Sequence, residues 1–202
     1  EVYWAALRSG LYITAVNHHL APDEAAYIVN DCGAKALVVA ASKRELVESL
    51  EGLVEVEHRL AFGGDVAGCR DYEEALAAAS PEPLPQQPHG DDILYSTGTT
   101  GRPKGIKPPL PQIQVDEPGY GYVMIFGGLY GFDEQSVYLS PAPVYHAAPL
   151  RFGGVVHALG GTLVMMERFD PESVLRAIEE HRVTHTQMVP TMFVRMLKLP
   201  EE

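Results

Sequence analysis

Apolar and polar positions change period repeatedly over residues 1–80. The opening VYWAALRS has helical spacing and LYITAV reads as a strand. PDEAAYIVNDCG reads as a helix with Pro22 in its first turn, Asp23 and Glu24 complementing the dipole and Gly33 as its stop. The unbroken apolar run AKALVVAA has the pattern of a parallel strand covered on both faces. Ser42 and Glu45 have capping-box spacing and open a helix whose Leu46, Val47, Leu50 and Leu53 recur on one side. HRLAFGG follows as a strand, and Asp71 with Glu74 opens another short helix. Such alternation predicts an α/β layered fold built on parallel sheet.

Prolines break the pattern in SPEPLPQQPH, where lost donors and fixed dihedrals stop both helix and strand. The expected organisation is therefore an α/β portion over 1–80, a proline-rich linker over 81–90 and a second α/β portion over 91–202. A second proline cluster, KPPLPQIQVDEP, is expected to be an exposed excursion. After it, YGYVMIFGGLYG reads as a buried helix, SVYLSPAPVYHAAPL as a strand that becomes a loop at Pro141, RFGGVVHALGG as helix and TLVMME as strand. Asp170 and Pro171 start a helix with Val174, Leu175, Ala177 and Ile178 inward; VTHTQMV returns as strand and Pro190 begins a last helix.

Composition narrows the function classes. The 202 residues carry 27 acidic against 15 basic side chains, a formal charge of -12 that opposes binding to nucleic acid or anionic membranes. Two long uncharged stretches, from Gly119 to Phe132 and from Phe152 up to Glu167, are glycine-rich and short of the roughly 20 apolar residues of a transmembrane helix. Cys32 and Cys69 are far apart in sequence and form no C-x-x-C pair, which suits a reducing cytoplasm and suggests neither a disulfide framework nor a thiolate metal site. EVYWAALRSG lacks the basic and cleavage regions of a signal peptide, and both ends read as the interior of a larger protein, so a fragment is expected.

The chemistry concentrates in YSTGTTGRPKG, Tyr95 to Gly105, directly after the strand-like DDILYS. Gly98, Gly101 and Gly105 allow positive φ and close approach of main-chain N–H groups to an anion. Ser96, Thr97, Thr99 and Thr100 add hydroxyl donors, and Arg102 and Lys104 add positive charge, a set suited to polyphosphate. The order excludes a Walker loop, because Pro103 stands where glycine is required and Gly105 where a hydroxyl is required. No dinucleotide fingerprint follows a strand either. By composition alone, a polar surface turn is an equal reading.

In its order the stretch resembles the phosphate loop of the adenylate-forming superfamily, which includes acyl-CoA synthetases, peptide-synthetase adenylation domains and beetle luciferases. AALRSGLYITAVNHHLAPDEAAYIVNDCGAKALV, SPAPVYHAAPL and VTHTQMVPTMFVRML are similar to further blocks of that family. The resemblance implies an incomplete N-terminal domain of layered parallel-sheet subdomains, from a ligase of the fatty-acyl-CoA type. Such an enzyme joins a carboxylic acid to the α-phosphate of ATP, releases pyrophosphate with Mg²⁺ on the phosphates, and passes the acyl group to coenzyme A. On the matching positions it implies a nucleotide-binding role for Ser96, Thr97, Gly98, Thr99, Thr100, Gly101 and Lys104, and a substrate-orienting or gating role for His146. No metal ligand is assigned, since His18 and His19 are adjacent in sequence without a completing carboxylate or cysteine, and His157 reads as core or pocket wall. The family's Y-G-x-T-E block, its ribose-binding Asp and its lysine-bearing C-terminal domain are not in this sequence, so the chain alone is expected not to adenylate. A non-catalytic nucleotide-binding or assembly module, and a peptide-synthetase adenylation fragment, are the alternatives.

Overall fold

The computed structural model describes residues 1–96 and 102–200. They form two compact units, Glu1–Asp116 and Glu117–Glu202. Both are α/β. No helix among the described residues is long and apolar enough to cross a membrane.

The first unit runs α1 (Val2–Leu7), β1 (Tyr12–Ile13), α2 (Pro22–Asp31), β2 (Ala36–Ala40), α3 (Arg44–Ser49), β3 (His58–Phe62), β4 (Arg70–Asp71), α4 (Tyr72–Ala77), β5 (Asp91–Asp92), β6 (Leu94–Ser96) and β7 (Lys104–Ile106). Strands β2, β3 and β4 form a parallel sheet in that order, and β1 pairs in parallel with β5. Helix α2 starts as its sequence predicts, with Pro22 at the first position and Glu24 Oε2 accepting from the Ala21 N–H at 3.2 Å. Asp71 caps α4 by accepting from the Glu74 N–H at 2.8 Å. The Ser42 capping box does not form. Residues Ala41–Lys43 make a 3₁₀ turn and α3 begins at Arg44, so Ser42 lacks the extended dihedrals an N-cap requires.

Buried Ala25, Ala26 and Val29 of α2 pack with Leu50 and Val54, and Leu37 of β2 joins them. Val47, Ala61 and Val66 form a second cluster with Val39 against it. Leu37 and Val39 share one strand face, whereas no residue of β2 is fully buried, so the strand is not covered on both faces as expected. Leu53, expected on the inner side of α3, lies past the helix end and is exposed.

The run DDILYS is not one strand. It pairs with β1 in parallel through Asp91 and Asp92, then turns at Ile93 into the antiparallel hairpin of β6 and β7. Gly90 makes the entry possible: its N–H donates to the Leu7 carbonyl at 2.7 Å, and a Cβ there would collide with the carbonyl oxygens of Leu11 and Ala6. Beyond the hairpin, the second proline cluster is stitched back to the first, His89 N–H donating to Ile113 O and Val115 N–H to Gln87 O, both at 2.9 Å.

The second unit runs α5 (Gly121–Tyr130), β8 (Val137–Ser140), α6 (Ala147–Ala158), β9 (Thr162–Met165), α7 (Pro171–Glu180), β10 (His185–Thr186) and α8 (Pro190–Met196). Its parallel sheet has the order β10-β8-β9. Phe132, Tyr138, Val155 and Val156 form the core, with the tilted rings of Phe126 and Phe152 at 4.8 Å from each other beside it. Helix α5 forms where predicted but is not buried: Met124, Ile125 and Leu129 are exposed, because Tyr122, Val123 and Phe126 lie on the side that turns toward the core. Asp170 caps α7 as its sequence predicts, yet only Val174 is fully buried and Leu175 points outward.

Candidate nucleotide-binding site

Ser96 and Lys104 end β6 and begin β7, and they are direct partners across the antiparallel pair. Cross-strand partners project to the same face, so the hairpin sets a hydroxyl beside an ammonium at the mouth of the Thr97–Gly101 stretch. Both side chains are exposed, as groups offered to a ligand must be. Thr97, Gly98, Thr99, Thr100 and Gly101 lie outside the described residues.

The opposite face of the hairpin is occupied by Tyr95 and Gly105, the adjacent partner pair. The Tyr95 ring lies over Gly105, whose absent Cβ would stand 2.7 Å from Cζ and 2.9 Å from the hydroxyl oxygen. Gly105 does not adopt a positive φ. Its glycine character therefore serves the close approach of a ring rather than an unusual backbone.

Tyr95 donates a hydrogen bond of 2.5 Å to Asp31 Oδ2 at the end of α2. Partial burial, that hydrogen bond and the negative carboxylate hold the Tyr95 phenol well above the usual tyrosine range. Arg102, expected to serve oxyanions, places its guanidinium 5.1 Å above the Tyr27 ring, also on α2. Downstream, Lys107 lies 4.8 Å above the Tyr12 ring, and the Tyr12 hydroxyl donates to Pro108 O at 2.6 Å. Asp31, Tyr27 and Tyr12 are the residues that sequence reasoning missed. The tyrosine of the motif was in view, but its acceptor is 64 positions upstream.

His146, in the second unit, stands at the N-cap of α6 with an exposed ring 4.6 Å from that of Tyr145. Its carbonyl accepts from the Leu150 N–H at 3.2 Å, the first bond of the helix. His157 is not in the core: it sits exposed in the last turn of α6, because Gly153 and Val156 occupy the inward side. The His18 and His19 rings pack at 4.0 Å, and burial, helped by Lys43 and His19, lowers the pKa of His18.

The family profile described as AMP-binding enzyme matches residues 1–202. The chain belongs to the AMP-binding enzyme family. Among curated relatives, it is 32% identical to the 2-succinylbenzoate–CoA ligase of Bacillus licheniformis over 93% of this chain and 36% of that protein. It is 26% identical to 4-hydroxybutyrate–CoA ligase 2 of Metallosphaera sedula over 97% of this chain and 37% of that protein. A long-chain-fatty-acid–CoA ligase of Mycobacterium tuberculosis is 25% identical over 99% of this chain and 39% of its own length. The chain thus spans well under half the length of these relatives.

Among solved structures, amide bond synthetase McbA from Marinactinospora thermotolerans superposes with a TM-score of 0.77 at 26% identity, covering 97% of this chain and 38% of that one. The N-terminal domain of FACL13 from Mycobacterium tuberculosis superposes with a TM-score of 0.72 at 23% identity, covering 95% of this chain and 46% of that one, a likeness of fold. The fold of this AMP-binding chain is accordingly that of the N-terminal domain of adenylate-forming enzymes, α/β with parallel sheets.

Proposed function

We propose that this AMP-binding chain is part of an ATP-dependent acyl-CoA ligase that converts a carboxylic acid, of the fatty type, to its acyl-adenylate and then to the coenzyme A thioester. In this reading 1–80 and 91–202, joined through 81–90, belong to one larger AMP-binding domain that is completed by a C-terminal part. The cross-strand pairing of Ser96 with Lys104 carries the reading, since it places a donor and a cation on one exposed face at both ends of a hydroxyl- and glycine-rich stretch. Such a stretch suits the β- and γ-phosphates of ATP. Lys104 and the hydroxyls of Ser96, Thr97, Thr99 and Thr100 would hold them, while Gly98 and Gly101 bring main-chain N–H groups close. Pyrophosphate is the leaving group, so donors on it stabilise charge that grows in the transition state. Mg²⁺, held by the phosphates, would neutralise part of that charge.

His146 would orient the carboxylate end of the acyl substrate. The exposed position of its ring at the start of α6 leaves it accessible to a ligand. The free thiols of Cys32 and Cys69 suit a cytoplasmic enzyme. Likeness to McbA supports a second reading in which an amine accepts the acyl group instead of the thiol.

The test is pyrophosphate release by the full-length protein with a panel of carboxylates, ATP and Mg²⁺, with coenzyme A or amines as acceptor. Adenylation with thioester formation is expected, and Lys104→Ala should lower the rate at least about tenfold, as loss of a charge-stabilising donor does. Absence of carboxylate-dependent pyrophosphate release from the wild type would sink the reading. Turnover with amines alone would favour the second.

A further inference from the structure

Both flanks of the Thr97–Gly101 stretch are tied to one helix. Tyr27 and Asp31 are four residues apart on α2, one turn along a single face. Asp31 accepts the Tyr95 hydroxyl just before the stretch, and Tyr27 underlies the Arg102 guanidinium just after it. The two tethers differ in kind. The first is a short charge-assisted hydrogen bond with one defined geometry, and the second is a cation over a ring, tolerant of sliding. The first also acts on both strands of the hairpin, because the Tyr95 ring that reaches Asp31 is the one lying over Gly105.

We propose that Asp31 is a positioning residue for nucleotide binding: by accepting the Tyr95 hydroxyl it holds the hairpin face that carries Tyr95 and Gly105 on α2, and so fixes Ser96 and Lys104 on the opposite face. The proposal rests on the polyphosphate reading of the loop. Groups that bind an oxyanion act well only when held within about 0.5 Å of their working positions, and two short strands of three residues each supply little rigidity of their own. A tether from the helix outside the hairpin supplies what those strands lack. Asp31 itself need not touch the nucleotide.

The test uses the full-length enzyme as wild type, Asp31→Ala, Asp31→Asn, Tyr95→Phe and the Asp31→Ala/Tyr95→Phe pair, with ATP and carboxylate varied separately in pyrophosphate exchange. Asp31→Ala and Tyr95→Phe should each raise KM for ATP about three- to tenfold, the net range of one hydrogen bond, since the bond acts on the nucleotide only through the hairpin, and leave KM for the carboxylate unchanged. The paired variant should be no worse than either single one, since both remove the same bond. Asp31→Asn, whose amide oxygen still accepts, should stay within about twofold of wild type. Ultraviolet titration gives a readout independent of activity: Asp31→Ala should lower the pH at which one phenol ionises, and Tyr95→Phe should remove that phenol.

An active wild type whose single variants keep the ATP KM, or lose only heat stability, overturns the positioning role while leaving the polyphosphate reading standing. Equal damage from Asp31→Asn and Asp31→Ala does the same. A wild type without exchange on any carboxylate overturns both.

Discussion

Gly105→Ala is the most discriminating single change in this hairpin. The backbone there tolerates alanine, since its φ is not positive, so without neighbours the substitution would stabilise by about 0.4 to 1 kcal/mol through the unfolded chain. The neighbour forbids it: the new methyl would stand 2.7 Å from Tyr95 Cζ and 3.1 Å from Cε1, closer than carbon atoms pack. A free aromatic ring could swing aside. This one is held by its 2.5 Å bond to Asp31, so either the strand pair opens or that bond breaks. Overpacking of this type costs about 1 to 3 kcal/mol, and an alanine at 105 should destabilise the protein by that much.

The cause is isolated by a double-mutant cycle. In a Tyr95→Ala background the clash is gone, and Gly105→Ala should become neutral or stabilising, a coupling of about 1 to 4 kcal/mol between the two sites. Urea unfolding of the four proteins, with m-values compared to confirm a common transition, measures it. If Gly105→Ala is equally damaging with and without the Tyr95 ring, the ring-over-glycine explanation is wrong and glycine is needed at 105 for another reason.

Three further residues, one in the first unit and two in the second, give expected outcomes. The Tyr138 hydroxyl is buried with no hydrogen-bond partner among the described residues, so Tyr138→Phe should raise stability in thermal unfolding by about 1 kcal/mol. Burial also pushes that phenol from 10.0 up to about 12, so the unfolded chain ionises first; stability is lost as pH rises through this window, and Tyr138→Phe should remove its share of the loss. Asp71→Ala removes the cap on the Glu74 N–H and should destabilise by about 0.5 to 2 kcal/mol, read as a lower melting temperature. The hydrogen bonds from Ser173, with Arg195 and Arg168 nearby, hold the Asp170 carboxyl below the usual range. Its contribution is therefore present above the ordinary aspartate pKa and lost as pH falls through the lower folded value, and Asp170→Asn should reduce the fall of melting temperature as pH drops below the ordinary aspartate pKa.

Local chemistry was legible wherever the responsible groups are close in sequence. Pro22 with Glu24, Asp71 with Glu74, and Asp170 with Pro171 start helices in the structure because their partners lie within one turn. Ser42 and Glu45 have equally good spacing, yet β2 leads directly into a 3₁₀ turn that denies Ser42 the cap conformation. Apolarity was read less well than periodicity. YGYVMIFGGLYG is a helix but not a buried one, because a uniformly apolar segment does not say which side its neighbours will cover.

By itself the sequence determined the alternation of helices and strands, the starts of α2, α4 and α7 and the family, since these depend on residue order over short windows. It also placed Ser96 and Lys104 at the ends of the hydroxyl-rich stretch. Only the tertiary structure decided that DDILYS divides between a parallel pair and a hairpin, that Gly105 makes room for a ring, and that α2 holds both flanks through Tyr27 and Asp31. The physical reason is distance along the chain: a hydrogen bond spanning 64 positions has no local pattern, and it exists only once folding has brought the end of a helix against a strand.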